Sequence, residues 1–191
     1  MSKIAIFASG TGTNARKVID HFTQRKSDIS VNCIVTNRKT AGVYRVATET
    51  NTSIFHFENS AFEIGTEVVE FLAKKRINWI VLSGFLRKIP SSIIEQYHNR
   101  IINLHPSLLP KFGGQGMYGK FVHQAVLEAE ESESGISIHL VNSEFDKGEV
   151  LFQKKCAVDE DETIQSLSAK IQHLEHTYFP KIIEQKILSE R

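Results

Sequence analysis

The sequence predicts an α/β protein: a single Rossmann-like domain with a mostly parallel central β-sheet and helices on both faces. Three features predict it. Short, almost wholly apolar runs alternate with amphipathic segments of about ten residues, as right-handed βαβ crossovers require. The first apolar run leads into a glycine-bearing loop that opens a helix. The chain has 191 residues without an internal repeat or a low-complexity linker, enough to surround one large sheet.

Residues 3–8 form a first buried strand, and Ser9-Gly10-Thr11-Gly12-Thr13-Asn14 leads into a helix over 15–24 with Ala15, Val18, Ile19 and Phe22 on one face. Residues 31–36 form the second strand, 41–50 a helix and 53–57 a third strand. An amphipathic helix over 61–75 points Val68, Val69, Phe71 and Leu72 inward, with Ser60 as its N-cap. Strand four is 79–82, and Pro90 opens a short helix ending near Tyr97. After the fifth strand and a glycine-rich stretch come a helix over 120–130, strands over 135–141 and 149–158, and a long helix from about Thr163. Ile164, Leu167, Ile171 and Leu174 give that helix its apolar stripe, and Asp159 to Glu162 suit its N-terminal dipole. Pro180 is expected to kink or divide it.

Composition narrows the function. Apolar content is 41%, and 23 basic against 22 acidic residues leave a net charge of +1, which gives nucleic acid or an anionic membrane nothing to hold. No apolar run approaches membrane-spanning length, and the N-terminus lacks a secretion-signal pattern. The two cysteines, Cys33 and Cys156, fall in separate strands, without metal-ligand spacing. The expectation is a cytoplasmic protein without metal, acting on small molecules as a monomer or weak homodimer.

The fifth strand and its exit read Ile101-Ile-Asn-Leu-His-Pro-Ser-Leu-Leu-Pro110. Asn103 and His105 share one strand face, and Pro106 and Pro110 stiffen the loop beyond the strand. An amide beside an imidazole at a strand end can grip an oxygen that gains negative charge. Gly10-x-Gly12-x-x-Ala15 is the loose dinucleotide fingerprint, but the second strand ends Thr36-Asn37-Arg38 without the carboxylate a ribose wants. A single phosphate held by backbone N–H groups, with Ser9, Thr11, Thr13 and Asn14 as short donors, fits better. NADP held through Arg38 is the alternative. Four glycines between Gly113 and Gly119 mark a surface loop, expected to be mobile until a ligand binds. His123 lies near the loop end of the next helix, either a neighbour of the site or a packing or surface histidine. Asp146, before Lys147-Gly148, reads locally as a turn aspartate, and Gln172 and Glu175 as one solvated helix face.

Asn103-x-His105-Pro106-Ser107-Leu108-Leu109-Pro110, with Asp146 after the next strand, resembles the active-site signature of the folate-dependent formyltransferases. The Ser9–Asn14 loop is similar to that of the members in purine synthesis, and the resemblance covers essentially the whole chain. It implies transfer of a formyl group from 10-formyltetrahydrofolate, as co-substrate, to the amine of 5-phosphoribosylglycinamide. Asn103, His105 and Asp146 would be catalytic, with Asp146 holding His105 as an imidazolium. Gly12, Thr13 and Asn14 would hold the substrate phosphate, and Gln172 and Glu175 the rest of the ribonucleotide. Leu86, Arg87, Lys88, Ile89 and Asn103 would meet the folate on one side, and Asn142, Ser143, Glu144, Phe145 and Asp146 on the other. The first 100 residues or so would carry the phosphate-binding half, and about 101–191 the catalytic and folate-binding half. Two departures stand out: Gly65 or a neighbour replaces an arginine that some relatives use for the folate tail, and the Gly113–Gly119 loop is long. Rival readings are an NADP-dependent reductase and a nucleotide-binding module without catalysis.

Overall fold

The computed structural model describes residues 1–25 and 27–190. Its strands are β1 (Ser2–Phe7), β2 (Ile29–Thr36), β3 (Ile54–His56), β4 (Trp79–Leu82), β5 (Ile101–His105), β6 (Glu133–Leu140) and β7 (Val150–Ala157). Its helices are α1 (Thr13–Gln24), α2 (Val43–Glu49), α3 (Asn59–Ile64), α4 (Thr66–Lys74), α5 (Ser91–Gln96), α6 (Lys120–Glu128) and α7 (Ile164–Ser189). The strands join in one sheet of order β3-β2-β1-β4-β5-β6-β7. β1 to β5 pair in parallel, whereas β6 is antiparallel to both β5 and β7.

Period-two alternation divides the core between the two faces of this sheet. Ile4, Ile6 and Ala8 of the first strand and its exit pack on one face, with α1, α2 and α7; Ala5 and Phe7 pack on the other, with Phe62, Val68, Leu72 and Ile93 of α3, α4 and α5. Burial on both faces is why β1 and β4 read as continuous apolar runs. Ile102 and Leu104 of β5 face α7, so Asn103 and His105 point to the α3–α5 face at the strand's carboxyl end.

Chain order reverses between β2-β1 and β4-β5, which makes the carboxyl ends of β1 and β4 the topological switch point. Ligands of open α/β sheets bind in the crevice there. The loops 8–12 and 83–90 leave from that point, and Asn103 and His105 end the neighbouring strand.

Two expected elements differ. The helix expected over 61–75 is two, α3 and α4, broken at Gly65 with φ +82°. A Cβ at Gly65 would lie 2.2 Å from Ser92 Oγ and 2.8 Å from Pro90 Cγ, so the chain turns where only glycine fits. Ser60 therefore lies inside α3 instead of capping a longer helix. In contrast, Pro180 does not divide α7, which runs from Ile164 to Ser189. Phe179, Pro180, Ile183 and Ile187 are all buried, and their packing on the sheet holds the helix across the hydrogen bond that proline cannot make. Thr163 caps α7 through a reciprocal box with Ser166.

Candidate active site

A cavity of about 950 Å³ opens at the switch point. It runs over the carboxyl edge of the sheet from α1 and α7 on one face to α3 and α5 on the other, with Asn103, His105, His139 and Asp146 along it.

The antiparallel register sets the centre of the site. Asn103 of β5 lies opposite His139 of β6, and cross-strand partners point the same way. His139 Nδ1 donates to the Leu140 carbonyl at 2.7 Å. Nε2 lies 3.0 Å from Asn103 Nδ2 and 3.5 Å from Asp146 Oδ1, so it accepts from the amide when the ring is neutral and donates to the carboxylate when the ring is protonated. Asn103 Nδ2 also donates to Asp146 Oδ1 over a longer 3.4 Å. A carboxylate can only accept, so the amide nitrogen, not its oxygen, must face this pair.

Asp146 reaches the site from the β6–β7 loop with φ +54°, a left-handed conformation that aspartate tolerates better than most residues. Its Oδ2 accepts from Gly114 N at 2.9 Å and lies 3.5 Å from His105 Nδ1. Burial alone would push this carboxyl up. His139, the charge of His105 and the Gly114 N–H outweigh that and hold it below the ordinary carboxylate value. The Gly113–Gly119 loop, expected to be free, is thus tied down at its start.

His105 is 4% exposed, and its Nε2 donates to the Phe112 carbonyl at 2.7 Å. Nδ1 is therefore the nitrogen available for proton transfer. The expectation that Asp146 keeps this ring cationic is not met. Burial lowers its pKa by more than Asp146 and the Phe112 carbonyl raise it, and His139 lowers it further. The imidazole is neutral at rest, beside an ionised carboxylate.

At the α1 end, Asn14 Nδ2 donates to Glu175 Oε2 at 2.7 Å, and Asn14 Oδ1 is enclosed without a partner among the described residues. Burial raises the Glu175 pKa, and the Asn14 bond lowers it by less. Glu175 is thus no solvated residue, although Gln172, which also lines the cavity, is exposed. Thr11 and Asn14 border the cavity; Gly12 and Thr13 do not. Gly12 is buried with φ +81°, and a Cβ there would sit 2.8 Å from Val43 Cγ2, so its lack of a side chain serves the contact with α2. Ser9, expected among the donors around a phosphate, is 2% exposed and committed elsewhere, donating to Asn37 Oδ1 and accepting from Leu86 N.

At the α3–α5 end, Leu86 to Ile89 and Asn142 to Asp146 line opposite walls. Lys88 Nζ stands 5.7 Å from the ring centroid of Phe145, joining the two, and Arg87 pairs with Glu63 at 2.7 Å beside the mouth. Asn142 accepts from Glu144 N in a turn that shapes the second wall. The structure thus gathers around one cavity every expected site residue except Ser9, Gly12 and Thr13. His139 is the residue that sequence reasoning passed over. Its signal was the Ser137–His139 polar face, which becomes informative only once β6 is known to pair with β5.

A doubly wound sheet with an amide, two imidazoles and a carboxylate over its switch-point crevice defines a Rossmann-like protein built for chemistry on a small ligand. The chain matches the Formyl transferase family over residues 2–183 and belongs to it. Phosphoribosylglycinamide formyltransferase of Bacillus subtilis (strain 168) is 31% identical over 189 residues, covering 97% of this chain and 94% of that protein. The chloroplastic phosphoribosylglycinamide formyltransferase of Arabidopsis thaliana is 34% identical over 186 residues, covering 95% of this chain. The chain spans 64% of the length of that relative and 60% of its Vigna unguiculata counterpart. Among solved structures, phosphoribosylglycinamide formyltransferase from Bacillus halodurans superposes with a TM-score of 0.88 at 29% identity, covering 96% of this chain and 94% of that one. Glycinamide ribonucleotide transformylase 1 from Geobacillus kaustophilus also gives 0.88, at 30% identity and 97% and 98% coverage. These likenesses lend no support to a reductase or to a module without catalysis. No helix among the described residues is long and apolar enough to cross a membrane.

Proposed function

We propose that this protein transfers the formyl group of 10-formyltetrahydrofolate to the amine of 5-phosphoribosylglycinamide, a step of purine synthesis. The observation that carries the reading is the convergence of Asn103, His105, His139 and Asp146 between two unlike ends of one cavity. At one end α1 begins without a side-chain cap, so its first N–H groups are free for a phosphate, with Asn14, Gln172 and Glu175 alongside for the ribonucleotide. At the other end the Leu86–Ile89 and Asn142–Asp146 walls suit a flat, partly apolar folate.

The neutral amine attacks the formyl carbon, a C–N bond forms, and the carbonyl oxygen becomes anionic. Asn103 can stabilise it by turning one amide N–H from its long bond with Asp146 to this oxygen, while His139 keeps the other. The attacking nitrogen carries the surplus proton. Neutral His105 accepts it at Nδ1, the ionised Asp146 beside it stabilises the imidazolium that results, and the ring returns the proton to the folate nitrogen as the old C–N bond breaks. Protons balance without a covalent enzyme intermediate or a metal. The two unpaired cysteines accord with a reducing compartment, which we take to be the cytoplasm. Purified protein mixed with glycinamide ribonucleotide and 10-formyltetrahydrofolate should release tetrahydrofolate and formylated ribonucleotide in equal amounts. Binding of both without transfer would overturn the assignment.

A further inference from the structure

His123 borders the same cavity and takes no part in this chemistry. It sits in the first turn of α6, immediately after the glycine-rich loop, and points inward with Val122 and Val126. The ring is 5% exposed. Its Nδ1 is enclosed without a hydrogen-bond partner among the described residues, whereas Nε2 is not enclosed and no described residue bonds it. Burial lowers its pKa, so the ring is neutral and holds a single N–H. A proton on Nδ1 would bury an unmet donor in the packed interior. On Nε2 the donor meets the open side, and only an acceptor lone pair is left enclosed, which is the cheaper arrangement.

Position says what the donor meets. Among the helices, α6 packs chiefly on α7. Val126 shares its cluster with Leu167 and Ile171, on the face opposite Phe62, Phe85 and Ile89 of the proposed folate end. From α7, Ser168, Gln172 and Glu175 reach the cavity. His123 thus belongs to the ribonucleotide end. The proposed phosphate site is the start of α1, so the neutral, nearly buried donor of His123 is left for an uncharged acceptor elsewhere on the ribonucleotide.

We propose that His123 is a specificity-determining residue whose Nε2–H donates to an uncharged oxygen, on the ribose or the glycinamide carbonyl, of the ribonucleotide held against α7. The inference rests on the formyl-transfer reading of the cavity. Held by burial rather than by a flexible stem, the ring is already oriented before the ligand arrives, so little side-chain freedom is lost on binding.

Nitrogen-15 spectra of the imidazole rings and two variants test it. In the parent protein His123 should be the Nε2–H tautomer, and its Nε2 resonance should move on addition of glycinamide ribonucleotide but not of tetrahydrofolate. By calorimetry His123→Leu should bind the ribonucleotide about tenfold more weakly, the loss typical of one hydrogen bond, with tetrahydrofolate affinity unchanged. His123→Gln places an amide nitrogen near the Nε2 position and should recover most of the loss. An Nδ1–H tautomer, an Nε2 resonance indifferent to the ribonucleotide, or equal weakening toward both ligands would overturn the assignment, and the spectra decide even if the leucine variant folds poorly. A parent that binds ribonucleotide and folate without formyl transfer, yet shows the His123 shift, would overturn the proposed function and leave this contact standing.

Discussion

At the scale of the residue, the site depends on which nitrogen does what. His105 spends Nε2 on the Phe112 carbonyl, and Asn103 spends one N–H on His139, so one nitrogen and one N–H remain for the reaction. Loss of a single oxyanion donor costs on the order of 100- to 1,000-fold in kcat. Asn103→Ala and His105→Ala should each fall by at least that factor in a steady-state assay, with KM little changed. Asp146 raises the His105 pKa against burial, so the His105 ring of the parent should titrate below the ordinary histidine value and that of Asp146→Asn lower still. A ring-proton NMR titration with the same midpoint in both proteins would deny Asp146 its electrostatic part. The sequence showed Asn103 and His105 through strand alternation and two prolines, and Asp146 only through resemblance. His139 stayed hidden because its meaning depends on a cross-strand register that periodicity cannot supply, and the charge state of His105 because it depends on burial.

At the scale of the element, apolar periodicity located every strand to within a few residues, most sharply at β4, where burial on both faces leaves little choice of residue. What it could not see were positions where backbone geometry or tertiary packing decides. The Ala61–Lys75 stretch is amphipathic throughout, yet Gly65 breaks it because α5 stands too close for a side chain. Pro180 carries a helix-breaking signal that packing overrides. Gly12 illustrates the same gap in a functional argument: its fingerprint position pointed to a phosphate contact, whereas its packing on α2 shows only in the folded chain. Gly65→Ala should therefore destabilise the protein by more than the roughly 1 kcal/mol usually set by backbone conformation alone, because the added carbon also meets Ser92 and Pro90. A urea midpoint equal to that of the parent would mean that α5 yields. Thr163→Ala, which removes the cap of α7, should cost about 1 kcal/mol in the same measurement.

At the scale of the whole molecule, folding brings several titratable rings together with the sheet edge and strips them of water. His105, His123 and His176 all have pKa values lowered, chiefly by burial, from the ordinary 6.5. The unfolded chain protonates these rings as pH falls through about 6.5, while the folded protein resists until a lower pH. Between those points the unfolded state holds more protons, so stability rises with pH and is lost on acidification. Each proton of difference contributes a slope of about 1.4 kcal/mol per pH unit. Asp146 acts in the same direction at lower pH: its carboxyl is held below the ordinary 3.8, and its contribution fades as pH falls through the folded value. Unfolding free energy from urea titrations should thus be nearly level from about pH 8 to about pH 7 and then decline toward pH 5. His123→Gln removes one ring and should make that decline shallower. Glu175, whose pKa burial raises, acts in the opposite direction. Equal stability at both ends of this range in Glu175→Gln would therefore mean that the rings take up protons as readily in the folded protein as outside it. The neutral His105 on which the proton transfer relies would then have to be abandoned.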